Sequence, residues 1–313
     1  MTSQINIIFN QIVLFAIMMC IGFAGGKTRV ITKDGLQTLA DLLVKIILPA
    51  LIFSMVAGNG VTIEEFTIAG PFAIGVAIVY AALTLTGFLT ARLLKLKGKE
   101  KSVFVMLNVF GNFGFMGLPL ILGIFTEPIA RVCMTVYAMF DSIILWTFGV
   151  YLCSRHDSNF NRASAIKNML NPTTLALAAA FIIMAFKIPL PEIVFTSISG
   201  LGGTSPYFSM IFIGASLAFV PAKSLVQKPS LFVLPAVKMI AMPVLIYILT
   251  GLFLPHIPRT VLTLLVALPC MNTVAVLAKT YGSAHEYATQ GIFITTILSL
   301  FTIPLVSAII SFL

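Results

Sequence analysis

Two stretches of this chain gather residue types suited to holding a small solute. One reads Gly111-Asn112-Phe113-Gly114-Phe115-Met116-Gly117-Leu118-Pro119, the other Ala267-Leu268-Pro269-Cys270-Met271-Asn272-Thr273-Val274. Each sets proline and an asparagine amide inside an apolar run. Proline withholds a backbone donor and clashes with the preceding turn, and Gly111, Gly114 and Gly117 loosen the first run further. An amide donates two hydrogen bonds and accepts others. Asn112 and Asn272 can therefore hold a carboxylate, or cap backbone groups that an interrupted helix leaves free. The expected substrate-binding set is Gly111, Asn112, Gly114, Gly117, Pro119, Pro269, Met271, Asn272 and Thr273. Gly111-x-x-Gly-x-x-Gly117 is not a nucleotide loop, because it lacks the preceding strand and the GxGxxG spacing.

Ionisable residues inside apolar runs are costly and point to function. Asp141 falls near the middle of such a run and is the leading candidate for a proton-titrating or gating group, against the alternative of a carboxylate bonded to a neighbouring helix. Lys238 lies about two turns into another run, where it either snorkels to the surface or attracts an anion. Asp41 and Lys45, spaced i, i+4, share a helix face and pair, which reads as structural. His156, His256 and His285 sit at loop edges. Cys20, Cys133, Cys153 and Cys270 are far apart, with neither CxxC nor metal-ligand spacing. The roles of Tyr137, Trp146, Tyr281 and Tyr287 stay open between interface and cavity. An enzyme would need paired carboxylates, a nucleophile with its base, or metal ligands at one depth. None is expected, nor any metal or cofactor.

The elements that must position these residues follow from composition. Of 313 residues 59% are hydrophobic and only 9% charged, and the mean hydropathy is +1.08. Such a chain needs lipid as solvent. Crossing a bilayer takes ~20 apolar residues. Ten stretches qualify, at about 8–26, 36–57, 67–91, 102–125, 129–153, 171–186, 204–220, 231–254, 259–280 and 287–312. The first has no basic segment before it and is expected to be a span and not a cleaved leader. The seventh is the weakest, being short and preceded by the Gly- and Pro-containing run 200–206. The expected class is an all-α integral membrane protein. The net charge of +9 does not suggest nucleic acid, since the basic residues are scattered over short loops.

The loops test the count. Alternate loops hold Lys27, Arg29 and Lys33; Arg92, Lys95, Lys97, Lys99 and Lys101; Arg155, Arg162 and Lys167; Lys223 and Lys228; and Lys279. The opposite loops hold only Arg131, Lys187 and Arg259. Basic loops stay cytoplasmic, so both termini are expected outside a cell membrane. Ten spans divide after the fifth into halves of residues 1–155 and 156–313. With an odd number of helices per half, the second enters from the opposite side, the inverted-repeat plan of many secondary transporters. The Pro/Asn stretches then fall in corresponding spans, four and nine. Matching breaks of this kind point to a substrate site.

At these residues the chain resembles the auxin efflux carrier family, which includes plant auxin carriers and bacterial malate and malonate permeases. Asn112 to Leu120 is similar to the family's Asn-x-x-x-Met-Gly-x-Pro-Leu segment, and Asn171-Pro172-Thr173-Thr174 to the opening of its second repeat. Leu48 to Phe53, Ser205 to Leu217, Ala267 to Gly282 and Thr295 to Pro304 resemble its second, seventh and last two spans. The resemblance implies two five-helix inverted repeats, broken helices crossing in spans four and nine, elevator-type alternating access, and a small organic anion as substrate. The central connection, about 154–170, is short, which points to an organic-acid permease and away from auxin itself. Protons are a possible coupling ion and a homodimer a possible assembly. A sodium-coupled symporter is the alternative.

Overall fold

The structure is a computed structural model that describes residues 2–57, 69–155, 172–219 and 228–313. Among the described residues every regular element is a helix. In chain order these are α1 Thr2–Lys27, α2 Lys33–Ala57, α3 Gly70–Leu93, α4 Gly98–Val109, α5 Phe113–Ile124, α6 Pro128–Ser154 and α7 Pro172–Ala185. They continue with α8 Glu192–Gly203, α9 Ser205–Ala218, α10 Pro229–Thr250, α11 His256–Val266, α12 Asn272–Thr280 and α13 His285–Ser311. Helices α2, α3, α6, α10 and α13 are long and apolar enough to cross a membrane. Shorter apolar helices accompany them, and each of the ten expected stretches coincides with a helix or a helix pair. Large apolar side chains such as Ile17, Ile74, Leu85, Leu89, Ile248 and Phe301 face outward, an exterior suited to hydrocarbon rather than water.

Local chemistry sets the helix ends. Thr32 caps α2, its hydroxyl accepting from Gly35 N–H at 3.1 Å, one of the donors a helix start leaves free. Prolines open α3, α6 and α9 within the first turn, where the missing N–H costs nothing. The connection after α3 turns through left-handed Lys95 and Gly98, at φ 54° and 53°.

The expected seventh span, 204–220, corresponds to α9, Ser205–Ala218. The run 200–206 is helical apart from a turn at Thr204, and it closes a further helix, α8, that begins at Glu192 and lies outside all ten expected stretches. Pro206 lies in the first turn of α9, so it interrupts no hydrogen bond. Gly200 and Gly203 have open space where a side chain would be.

The helices pack in two groups. In one, α1 lies along α9, and α2 packs against α7 and α8. Small residues let backbones meet there. A methyl on Gly22 would strike the Ile211 carbonyl, one on Gly214 the Met19 carbonyl, and one on Gly202 would lie 2.6 Å from Leu51 Cα. The other group is α3 to α6 with α10 to α13. Its rim is tied by Lys99 Nζ donating to the Gly282 carbonyl at 2.6 Å and by a Lys228–Glu100 ion pair at 2.7 Å. Four helical stretches are widened by one residue into π turns: Leu43–Ile47, Phe113–Gly117, Leu145–Gly149 and Val237–Ala241.

Candidate substrate site at the crossing of two interrupted helices

Helix α4 stops at Val109 and α5 starts at Phe113; α11 stops at Val266 and α12 starts at Asn272. Between the ends, Phe110 and Met271 are extended. The two short extended segments run antiparallel, with Gly111 opposite Cys270. Asn112 N–H donates to the Pro269 carbonyl at 2.7 Å, and Met271 N–H to the Phe110 carbonyl at 3.1 Å. Cys270 N–H donates to Thr295 Oγ1 at 3.1 Å, and its thiol to the Leu107 carbonyl at 3.1 Å. Each break thereby supplies partners for backbone groups the other leaves free, which an apolar interior requires. The crossing is close: a Cβ on Gly111 would lie 3.3 Å from the Leu265 carbonyl oxygen and 3.3 Å from Leu268 Cβ.

The first break is therefore at Phe110–Asn112 and not at Pro119, which sits in the first α-helical turn of α5 beyond its π stretch. Pro269 lies inside the second break, and its carbonyl is the acceptor just named. Across the antiparallel bridge Asn112 pairs with Pro269 and Met271 with Phe110, so Asn272 lies outside it, at the first position of α12.

Both breaks present helix N-termini to one cavity of about 370 Å³. From the sequence-predicted set, Asn112, Gly114, Met271, Asn272, Thr273 and Asp141 line it. Gly111, Gly117, Pro119, Pro269 and Lys238 do not; Gly117 instead allows Leu268 to pack against α5, 2.7 Å from where its Cβ would be. First-turn N–H groups have no intrahelical acceptor, and their dipoles favour an anion. The Nδ2 of Asn112 is buried without a hydrogen-bond partner among the described residues. Most of the remaining wall is apolar, with Leu48, Ile52, Leu145 and Leu177 among it.

Three side-chain arrangements complete the site. Asp141, on α6, is buried, and its Oδ1 accepts from Tyr80 Oη at 2.7 Å. The Tyr80 ring packs against Tyr137, 5.8 Å between centroids, and Phe110, at 6.3 Å. Asp41 and Lys45 pair at 3.0 Å on the cavity wall, with Gln37 donating to the same carboxylate at 3.2 Å. Lys238 does not snorkel; it is fully buried behind the crossing, within the electrostatic reach of Asp141 but not in contact with it.

Sequence reasoning missed Tyr80, an ordinary aromatic in an apolar run 61 residues from its partner. It placed Asp41 and Lys45 on one helix face but not on the cavity, and it left Trp146, a wall residue, undecided. The widened turns could have flagged these positions, since three of them carry the wall residues Lys45, Phe113 and Trp146 and the fourth carries Lys238. Such turns recur at functional sites, yet no residue type encodes them. Asn171, His156, Arg162, Lys167, Lys223 and the boundary between the proposed halves at 155/156 fall on or beside positions outside the described residues.

A multi-pass helical protein with this crossing belongs to the class of membrane transporters. The chain belongs to the membrane transport protein family, that of the auxin efflux carriers, whose model matches residues 7–307. A provisionally named malonate transporter of Rhizobium meliloti (strain 1021) is 27% identical over 282 residues, 86% of this chain and 85% of that one. An uncharacterized transporter of Methanocaldococcus jannaschii is 23% identical over 304 residues, 95% and 96% of the two chains.

Proposed function

We propose that this transporter is a secondary carrier that moves a small carboxylate, of the malonate or malate kind, across a cell membrane. The observation that carries this reading is the convergence of two helix N-termini and the unpartnered Asn112 amide on one cavity. A carboxylate there accepts from first-turn N–H groups and from Asn112, with no arginine needed. Lys45, exchanging Asp41 for substrate, supplies a positive charge on the wall.

The architecture that fits is ten spans in two inverted five-helix repeats, 1–155 and 156–313, with the basic loops inside and both termini outside. Alternating access then comes from elevator-like movement of the group α3–α6 with α10–α13 against α1, α2 and α7–α9. Two features support it: the glycine contacts that lock α1 on α9 and α2 on α8, and the rim ties that hold the other group together. Coupling to protons, or uniport, is preferred to sodium coupling. The malonate transporter name of the Rhizobium relative supports the substrate class.

The test is uptake of labelled malonate, malate and a monocarboxylate into proteoliposomes under imposed proton and sodium gradients. Saturable dicarboxylate uptake is expected. Absence of uptake of all three sinks the substrate assignment, and strict dependence on sodium sinks the coupling assignment.

A further inference from the structure

Lys238 is a lysine buried in the apolar interior. Its side chain is fully buried, and its ammonium nitrogen has no hydrogen-bond partner among the described residues. Burying an unpaired cation is strongly unfavourable, so something must hold it there. The π turn Val237–Ala241 adds a residue to α10 at this point and so resets the direction in which the following side chains leave the helix. The nitrogen lies 3.6 Å from the position a Cβ on Gly111 would take, beside the residue where the two broken helices bridge.

That place has a definite electrostatic character. While the cavity receives the N-termini of α5 and α12, the region behind it receives the last turns of α4 and α11. The Leu265 carbonyl oxygen, in the last turn of α11, lies 3.3 Å from the same Gly111 position. The Leu107 carbonyl, in the last turn of α4, accepts from the Cys270 thiol, and Asp141 acts electrostatically on Lys238. Helix C-termini carry partial negative charge, and Asp141 adds a carboxylate. In carriers built on broken helices, the C-terminal ends of half-helices and unwound carbonyls are where a coupling cation binds.

We propose that Lys238 is a tethered cation, its ammonium standing at the C-terminal ends of the crossing half-helices where a coupling metal ion would otherwise be required. The inference rests on the anion-carrier reading above and deepens it. The fixed charge offsets Asp141 and the two helix ends, so the cavity in front stays receptive to an anion without recruiting sodium. A methyl at Gly111 would lie in ordinary contact with the ammonium, at 3.6 Å, and press instead on the Leu265 carbonyl and Leu268 Cβ.

The experiment uses the whole protein in detergent, melted in sodium, lithium and choline chloride at equal ionic strength, beside Lys238→Ala, Lys238→Asn and Lys238→Met. The wild type is expected to melt at one temperature in all three salts. Lys238→Ala leaves a hole the size of the group removed. It is expected to melt several degrees higher in sodium chloride or propylammonium chloride than in choline chloride, whose cation is too large to enter. Lys238→Asn, which offers an amide oxygen to a metal ion, serves the same purpose with sodium if the alanine variant does not fold. Lys238→Met refills the hole with apolar atoms and should show no salt preference. A sodium-dependent rise in the wild type overturns the proposal, as does indifference of the alanine and asparagine variants to every cation. None of these readings needs a substrate. A parallel melt of the wild type with malonate reports separately on the carrier reading, which fails if no shift appears.

Discussion

Tyr80 on α3 donates a 2.7 Å hydrogen bond to Asp141 on α6, and so fixes the carboxylate that faces the cavity. A bond to a charged acceptor contributes about 1.5–3 kcal/mol. Tyr80→Phe is expected to lower thermal stability and leave Asp141 free to reorient. Asp141→Asn keeps a polar side chain of the same shape. It is expected to remain folded in the membrane while losing the response of malonate uptake to an imposed pH gradient. Comparing uptake with and without the gradient checks this; an unchanged response assigns Asp141 to packing.

Asn112 and Asn272 make separable predictions. Asn112→Ala removes an amide nitrogen that has no hydrogen-bond partner among the described residues, so stability should change little. Malonate binding should weaken by about 1.5–3 kcal/mol, roughly ten- to a hundredfold. Asn272 lines both the main cavity and a smaller pocket of about 200 Å³ beside α9 and α13. Ligand-induced thermal shifts on both alanine variants separate a binding role from a backbone-capping one. If both bind malonate as tightly as the parent, the crossing is not the substrate site.

Two glycines of one motif should behave differently. A methyl at Gly111 would press on Leu265 O and Leu268 Cβ at 3.3 Å, while one at Gly114 would make an ordinary 3.4 Å contact with Leu48 Cδ1 on the cavity wall. Gly111→Ala is expected to cost about 1–3 kcal/mol of stability through overpacking. Gly114→Ala should spare stability and reduce malonate affinity by narrowing the cavity. Melting curves with and without malonate distinguish the two, and equal destabilisation would refute the assignment.

Orientation is tested by membrane-impermeant thiol labelling of single cysteines. A cysteine at Lys187 is expected to react from outside the cell, and one at Lys97 only after permeabilisation. External labelling at Lys97 would reverse the topology.

Much of the molecule was legible because lipid imposes simple rules. Apolar length located the described helices except α8, Glu192–Gly203, which falls between two expected stretches, and the Pro/Asn stretches located both interruptions within a few residues. What sequence could not supply was register across space. Pro119 looked equivalent to Pro269, but the bridge aligns Gly111 with Cys270 and puts Pro119 well inside a helix. The Gly- and Pro-containing run 200–206 made the seventh span the weakest, yet Pro206 falls in a first turn, where the missing N–H costs nothing. Tyr80 and Lys238 acquire their meaning only from partners brought near by folding.

The contact of α1 with α9 also has a consequence for natural and laboratory variation. At Gly22 and Gly214 even a methyl group meets a main-chain carbonyl, whereas Ile17 and Ile21, on the same helix, point outward. A saturation library should therefore show a sharp alternation along α1: sites intolerant of the smallest added carbon, next to sites that accept any greasy residue.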